Sequence, residues 1–312
     1  RVFFIKKSLL NMKGKKVLVI GGTGFLGFHL IKKCLNLRMI ITSIARRKPS
    51  KFQRLGKVEY KTCNITNLQK LKKLINNDYD FIVNLGGNID HSNKTKTYSS
   101  HYLGVKNLYN IFKNKKIERF VQVGSSSEYG KTFGAVKESN ICKPKMIYGR
   151  SKLMATNFLF KKNKLERFPF TILRFFQVYG PFQKTNRLIP FVISSSLKNK
   201  NFNCSEGSQL RDFLYIDDAI ESIIKSFKRQ ESEGKIINIG YGTSVKVKKI
   251  ILMINTLIKK GNPKFGKLSL RIDESKNIYP DLTMARKILG WKSKTSIKKG
   301  LVKTIQFYKK NS

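Results

Sequence analysis

Tyr148 and Lys152 stand four residues apart, a spacing that puts a phenol and an ammonium on one face of a helix. A lysine beside a tyrosine favours the phenolate and lowers its pKa, so the pair can pass a proton to or from an oxygen. A second chemical signal lies upstream, Gly21-Gly22-Thr23-Gly24-Phe25-Leu26-Gly27. Glycines at this spacing permit a tight turn, close approach of a pyrophosphate and close helix–strand packing. The helix that the turn opens offers unpaired N–H groups and positive partial charge to phosphate. Either signal alone is weak, because a Tyr-x-x-x-Lys pair is common and a glycine turn can be structural. In this order they point to nicotinamide-dependent redox chemistry on an alcohol or ketone carbon. A hydroxyl from Ser125 or Ser126 can hold the same oxygen, and the residues leave that choice open.

These groups need a frame to bring them together. Residues 16–20 are a short apolar run ending at glycines, as a buried parallel strand should be. Further strands are predicted at 40–44, 58–63, 80–85, 119–123 and 170–175. Helical spacing covers 25–37, 68–75, 98–113 and the segment holding Tyr148 and Lys152. Strands alternating with amphipathic helices predict an α/β fold with a doubly wound parallel sheet covered on both faces. Such sheets bind ligands beyond the carboxyl ends of their strands, where the glycine cluster, Gly86-Gly87 and the serine run all fall. Beyond about residue 180 the pattern is less regular, broken by Pro181 and Pro190, with a late helix near 283–289. The expected division is an extension at 1–15 outside the fold, a dinucleotide-binding domain at 16–180, and a smaller substrate-binding lobe at 181–312. A segment near 236–240 is expected to return a strand to the main sheet.

Composition narrows the class. The chain has 312 residues, 40% of them hydrophobic, and no apolar run approaches the roughly 20 residues that span a bilayer. Lysines interrupt the apolar start and no small-residue cleavage site follows, which argues against a signal peptide. Cys34, Cys63, Cys142 and Cys204 are far apart and only three His are present. That argues against a structural metal site and a disulfide framework, and fits a reducing cytoplasm. The net charge of +46 is spread along the chain. It reads as solvated lysines in preference to a nucleic-acid or membrane surface, yet such a field attracts phosphorylated small molecules. Where an acidic residue would hold the ribose 2′-hydroxyl of NAD, the chain has Ala45-Arg46-Arg47-Lys48. Arginines there pair with a 2′-phosphate, so the reading leans to NADP over NAD.

From Lys16 to Lys309 the chain resembles the extended short-chain dehydrogenases/reductases of the nucleotide-sugar epimerase/dehydratase group. The resemblance rests on Gly21 to Gly27, Asn84 to Gly87, Ser125 to Gly130, Tyr148 to Lys152, Arg174 to Pro181, Gln209 to Asp218 and Ala285 to Trp291. It implies a Rossmann-type sheet with a smaller C-terminal lobe and a homodimer. It implies Tyr148 as catalytic acid/base, Lys152 as its partner and a nicotinamide-ribose contact, and Ser125 or Ser126 as third member. Dinucleotide contacts are implied at Gly21, Thr23, Gly24, Phe25, Leu26, Gly27, Asn64, Ile65, Leu85, Gly86, Gly87 and Phe176, with Arg46 and Arg47 at the ribose. Gln177, Arg187, Arg211 and Arg271 fall where similar enzymes grip a nucleoside diphosphate sugar. The chain departs from the pattern at His101 and Gln177, both usually Asn, and at Asn64, commonly Asp. Dehydratases of the group need an acidic pair beside the strand-end hydroxyl. Here Glu128 stands alone, and reads as a capping or loop residue before a substrate contact. Two reactions fit best, 4-epimerisation and reduction of a 4-keto sugar. The run 265–271 is similar to that of enzymes making deoxyhexoses for bacterial O-antigen. The alternatives are a 4,6-dehydratase and a dinucleotide-sensing or RNA-binding protein of the same fold.

Overall fold

The apolar runs become the strands of one sheet. A computed structural model describes residues 12–88, 92–269 and 275–311. In chain order the elements begin with β1 (Lys16–Ile20), α1 (Phe25–Asn36), β2 (Ile40–Ala45), β3 (Val58–Thr62), α2 (Leu68–Leu74) and β4 (Phe81–Asn84). They continue with α3 (Lys94–Tyr98), α4 (Gly104–Phe112), β5 (Arg119–Ser125), β6 (Phe133–Val136), α5 (Ile147–Glu166), β7 (Phe170–Phe175) and β8 (Gln177–Tyr179). Then follow α6 (Leu188–Leu197), β9 (Asn201–Asn203), β10 (Leu210–Tyr215), α7 (Ile216–Ser226), β11 (Lys235–Ile239) and β12 (Ser244–Lys246). The last are α8 (Val247–Ile258), β13 (Asn262–Lys264), β14 (Asn277–Pro280), α9 (Thr283–Leu289) and α10 (Ile297–Lys310).

Seven strands form a parallel Rossmann-type sheet in the order β11-β7-β5-β4-β1-β2-β3. The chain runs outward from β1 through β2 to β3, then crosses back to β4 and continues through β5 and β7 to β11. The reversal falls between β1 and β4, and the loops after those two strands flank the place where such sheets take ligands. Strands β4 and β7 are buried along their whole length, as layers covered on both faces must be. On one face Leu18, Ile82, Phe120 and Ile172 pack with Val105, Leu108 and Phe112 of α4 and with Ala155 and Leu159 of α5. Elsewhere in this unit Phe81 stacks on Phe227, just past α7, at 4.4 Å and 7°.

The chain divides into two compact units, but not by one cut near residue 180. The first holds the described residues up to Glu128, with Met146–Arg174 and Ile223–Ile237. The second holds Tyr129–Lys145, Phe175–Ser222 and the described residues from Asn238. Strand β11 lies beside β7 because residues 223–237 return to the first unit. The second unit contains a sheet ordered β12-β10-β14-β6, with β8 on β10, and a separate β13-β9 pair. Tyr129, Val136, Phe176 and Ile278 form a small core there. Asp212, fully buried, accepts the N–H groups of Tyr241 at 2.7 Å and Gly242 at 2.6 Å, and burial pushes its carboxyl up to about 7.

One predicted element differs. The single helix expected over 98–113 is α3 and α4 joined by a π turn at Ser99–Leu103. That turn places Ser100 Oγ where it accepts the Asn88 N–H at 2.9 Å, and His101 Nε2 3.0 Å from the Asn88 carbonyl. Among the described residues no helix is long and apolar enough to cross a membrane.

Candidate active site

The glycine turn follows β1 directly. Gly21 has φ +81°, a left-handed conformation that glycine adopts without strain. Its N–H donates to Ile44 O at 2.7 Å, and its carbonyl accepts from Gly24 N–H at 3.0 Å. A Cβ at Gly21 would lie 3.0 Å from the Leu85 carbonyl group, so the loops after β1 and β4 approach backbone to backbone at the reversal. A Cβ at Gly27 would lie 2.5 Å from Gly22 Cα, which lets α1 press against the turn. Gly24 caps α1 without any side-chain hydrogen bond, and no acidic residue occupies the first turn. The first-turn N–H groups of a helix have no partners within it, so this end suits a pyrophosphate. The cradle therefore fits a dinucleotide. Thr23, Phe25 and Leu26 line its half-buried edge, and Leu85, Gly86 and Gly87 are likewise half-buried. Arg46 and Arg47 are exposed just past β2. Asn64 is exposed, whereas Ile65 is buried and its carbonyl accepts from Asn107 Nδ2 at 3.0 Å.

Tyr148 and Lys152 lie in the first two turns of α5, in the same unit as the glycine turn. Tyr148 is half-buried, and Lys152 Nζ sits 6.0 Å from its ring centre. Lys152 is only 5% exposed and donates to the Val123 carbonyl at 2.7 Å, which ties α5 to the end of β5. Burial pushes its amine down to about 8, and the Glu128 carboxylate works against that drop. Ser125 ends β5 and Ser126 opens the next turn, and both are half-buried. Ser125 Oγ accepts the Ser127 N–H at 3.2 Å. The His101 ring packs edge-on against Tyr148 at 5.0 Å. A Cβ at Gly87 would fall 2.5 Å from His101 Nδ1, so this glycine makes room for the imidazole.

Glu128 takes a different place from a substrate contact. It is fully buried and accepts from Ser125 N–H at 2.9 Å, Thr156 Oγ1 at 2.8 Å and Arg174 Nε at 2.9 Å. Both carboxylate oxygens are thus spent inside the unit. Phe176 is also buried, in the second unit's core, with its N–H on Ile239 O at 3.0 Å. In that unit Gln177 is exposed at the start of β8 and Arg187 is exposed at the start of α6. Arg211 is 8% exposed on β10, one guanidinium nitrogen donating to Leu210 O at 2.7 Å. Arg271 lies outside the described residues.

Sequence reading passed over a cavity of about 530 Å³ in the second unit, lined by Thr185, Phe191, Ser195, Lys198, Phe202 and Leu268. The Phe191 and Phe202 rings meet edge to face at 5.8 Å. The signal was faint, since 198–203 reads as a lysine- and asparagine-rich solvated loop.

Comparison with known proteins identifies the family. The model of the NAD dependent epimerase/dehydratase family matches residues 17–240, well over half of the chain. An uncharacterized UDP-glucose epimerase of Bacillus subtilis is 26% identical over 94% of this chain and 97% of its own. The CDP-abequose synthase of Salmonella muenchen is 25% identical, over 93% and 97%. The structure of a UDP-glucuronic acid 4-epimerase from Bacillus cereus, in complex with UDP-glucuronic acid and NAD, superposes with a TM-score of 0.86 at 26% identity, over 95% and 100%. A family match of that extent, on this fold, means that the chain belongs to the NAD dependent epimerase/dehydratase family of nucleotide-sugar enzymes.

Proposed function

We propose that the protein is an NAD(P)-dependent nucleotide-sugar 4-epimerase or 4-keto-sugar reductase, with Tyr148 as acid/base. One observation carries this reading: Lys152, beside Tyr148, bonds to Val123 two residues before Ser125, in the unit that holds the glycine turn. The dinucleotide, when bound, supplies a nicotinamide that accepts or donates hydride. Tyr148 exchanges a proton with the sugar oxygen, and the Lys152 ammonium beside it favours the phenolate. Ser125 or Ser126 holds the same oxygen. The exposed Arg46 and Arg47 favour a 2′-phosphate and hence NADP. Gln177, Arg187 and Arg211 are the proposed grip on the nucleotide sugar. The cavity beside Phe191 and Phe202, with Lys198 on its rim, suits a planar anionic ligand such as a nucleotide. Glu128, spent on internal partners, does not favour dehydration.

The test is incubation with a panel of nucleotide sugars and nucleotide 4-keto sugars, following NADPH absorbance and product mass. An epimerase needs no added reductant, whereas a reductase consumes NADPH stoichiometrically. Tyr148→Phe is expected to lower turnover at least about a hundredfold while dinucleotide affinity stays within about twofold. Near-normal turnover in that variant refutes the proton-transfer role.

A further inference from the structure

Glu128 joins three elements through one buried carboxylate. Ser125 belongs to the end of β5, Thr156 to α5 and Arg174 to β7. Tyr148, Lys152 and Thr156 follow one another at intervals of four, so Glu128 grips the helix face that carries the phenol and the ammonium. A Cβ at Gly124 would lie 2.6 Å from Glu128 Oε1, which shows how closely the carboxylate is seated under the strand end. A buried ion pair is weak ground for stability alone, because desolvation of both charges offsets their attraction. The Glu128–Arg174 pair therefore invites a second role.

We propose that Glu128 is a positioning residue: its buried carboxylate, bonded to Thr156 one helical turn beyond Lys152, fixes the serine turn against the helix face of Tyr148 and Lys152 and lays its negative charge beside that face. This inference rests on the proton-transfer role proposed above. The groups around Lys152 are the Val123 carbonyl from β5, Tyr148 from its own helix and Glu128 from the turn after β5. Arg174 of β7 backs Glu128, and His101 of the π turn faces Tyr148. Of the charged groups, Glu128 is the one that opposes the effect of burial on the lysine. Removing its charge makes Lys152 release its proton at lower pH, and the phenol then loses the cation that favours its ionised form.

The test reads Lys152 directly. Protein carrying ε-13C-lysine is titrated by NMR, the Lys152 signal being the one missing from Lys152→Met. In Glu128→Gln the midpoint is expected to move to lower pH, and the alkaline limb of kcat to move with it. At pH 8 kcat falls about tenfold while KM stays within about twofold. Glu128→Asp keeps the charge on a shorter stem, so kcat falls but midpoint and limb stay in place. Should Glu128→Gln fail to fold around Arg174, Glu128→Gln combined with Arg174→Met is compared with Arg174→Met alone, and the difference between those two midpoints is the effect of the carboxylate. A folded variant with lowered stability, an unmoved Lys152 midpoint and an unshifted kcat profile makes Glu128 purely structural and overturns the proposal. Undiminished turnover in Tyr148→Phe removes the proton-transfer reading alone, and the Lys152 titration still decides the case of Glu128.

Discussion

Lys152 is expensive to keep charged where it sits. Its amine is buried, has one carbonyl acceptor in Val123, and titrates near 8 in place of 10.5. Below pH 8 the lysine is charged in both the folded and the unfolded chain, and folding bears the whole net cost of the shift, on the order of 3 kcal/mol after the opposing pull of Glu128. Between about 8 and 10.5 the unfolded chain binds a proton that the folded one does not, so stability rises with pH across that window. Lys152→Met should therefore be more stable than the parent at pH 7, by about 1–3 kcal/mol in urea unfolding, with the gain shrinking above pH 8. Turnover in the same variant should fall by at least about a hundredfold. A gain in stability joined to a loss of turnover would fit the role proposed for Lys152 beside Tyr148.

At the scale of elements, the proposed dinucleotide cradle depends on the closeness of α1 to the β1 turn. Gly27→Ala would drive a methyl group into Gly22, costing about 1–3 kcal/mol and widening the cradle. The expected outcome is a lower urea midpoint together with loss of the fluorescence rise that reduced dinucleotide shows on binding. Gly56→Ala is the control: its Cβ meets nothing within 4 Å, and the midpoint should move by less than about 1 kcal/mol. Elements of this kind were legible in the sequence because each is local. The run 16–20 with its glycines, the apolar stretch 170–175 and the spacing of 25–37 each contain their own period. The π turn was not legible, because its residues Ser100 and His101 bond to Asn88, outside the helix and its period. The place of Glu128 was hidden for the same reason, since its partner Arg174 lies 46 residues away. The shared helix face of Tyr148 and Lys152 was readable from their four-residue interval, but the depth of Lys152 was not, because burial belongs to the packed sheet and not to the helix. The proposed nucleotide contacts were readable only by resemblance.

For the whole molecule the dominant quantity is charge. A net +46 on 312 residues sets up a positive field that would attract the proposed pyrophosphate-linked substrate before any contact forms. That field is screened by salt, whereas the proposed proton transfer inside the site would not be. For a nucleotide sugar, kcat/KM is expected to fall about tenfold between roughly 50 and 500 mM KCl, while kcat at saturation changes by less than about twofold. Equal loss in both would mean that salt acts on the fold or the chemistry and that capture of substrate is not steered.

The interleaving of the two units has a further consequence, for the chain as it is made. Strand β7 ends at Phe175, but its neighbour β11 is not complete until Ile239. At about 5–20 residues per second, β7 waits roughly 3–13 s for that neighbour. Through that interval a newborn chain exposes one unpaired backbone edge of a strand that is buried along its whole length in the finished fold, a template on which another nascent chain can lodge. Its hazard is greatest during synthesis, and a helper that shields one strand for a few seconds would remove it.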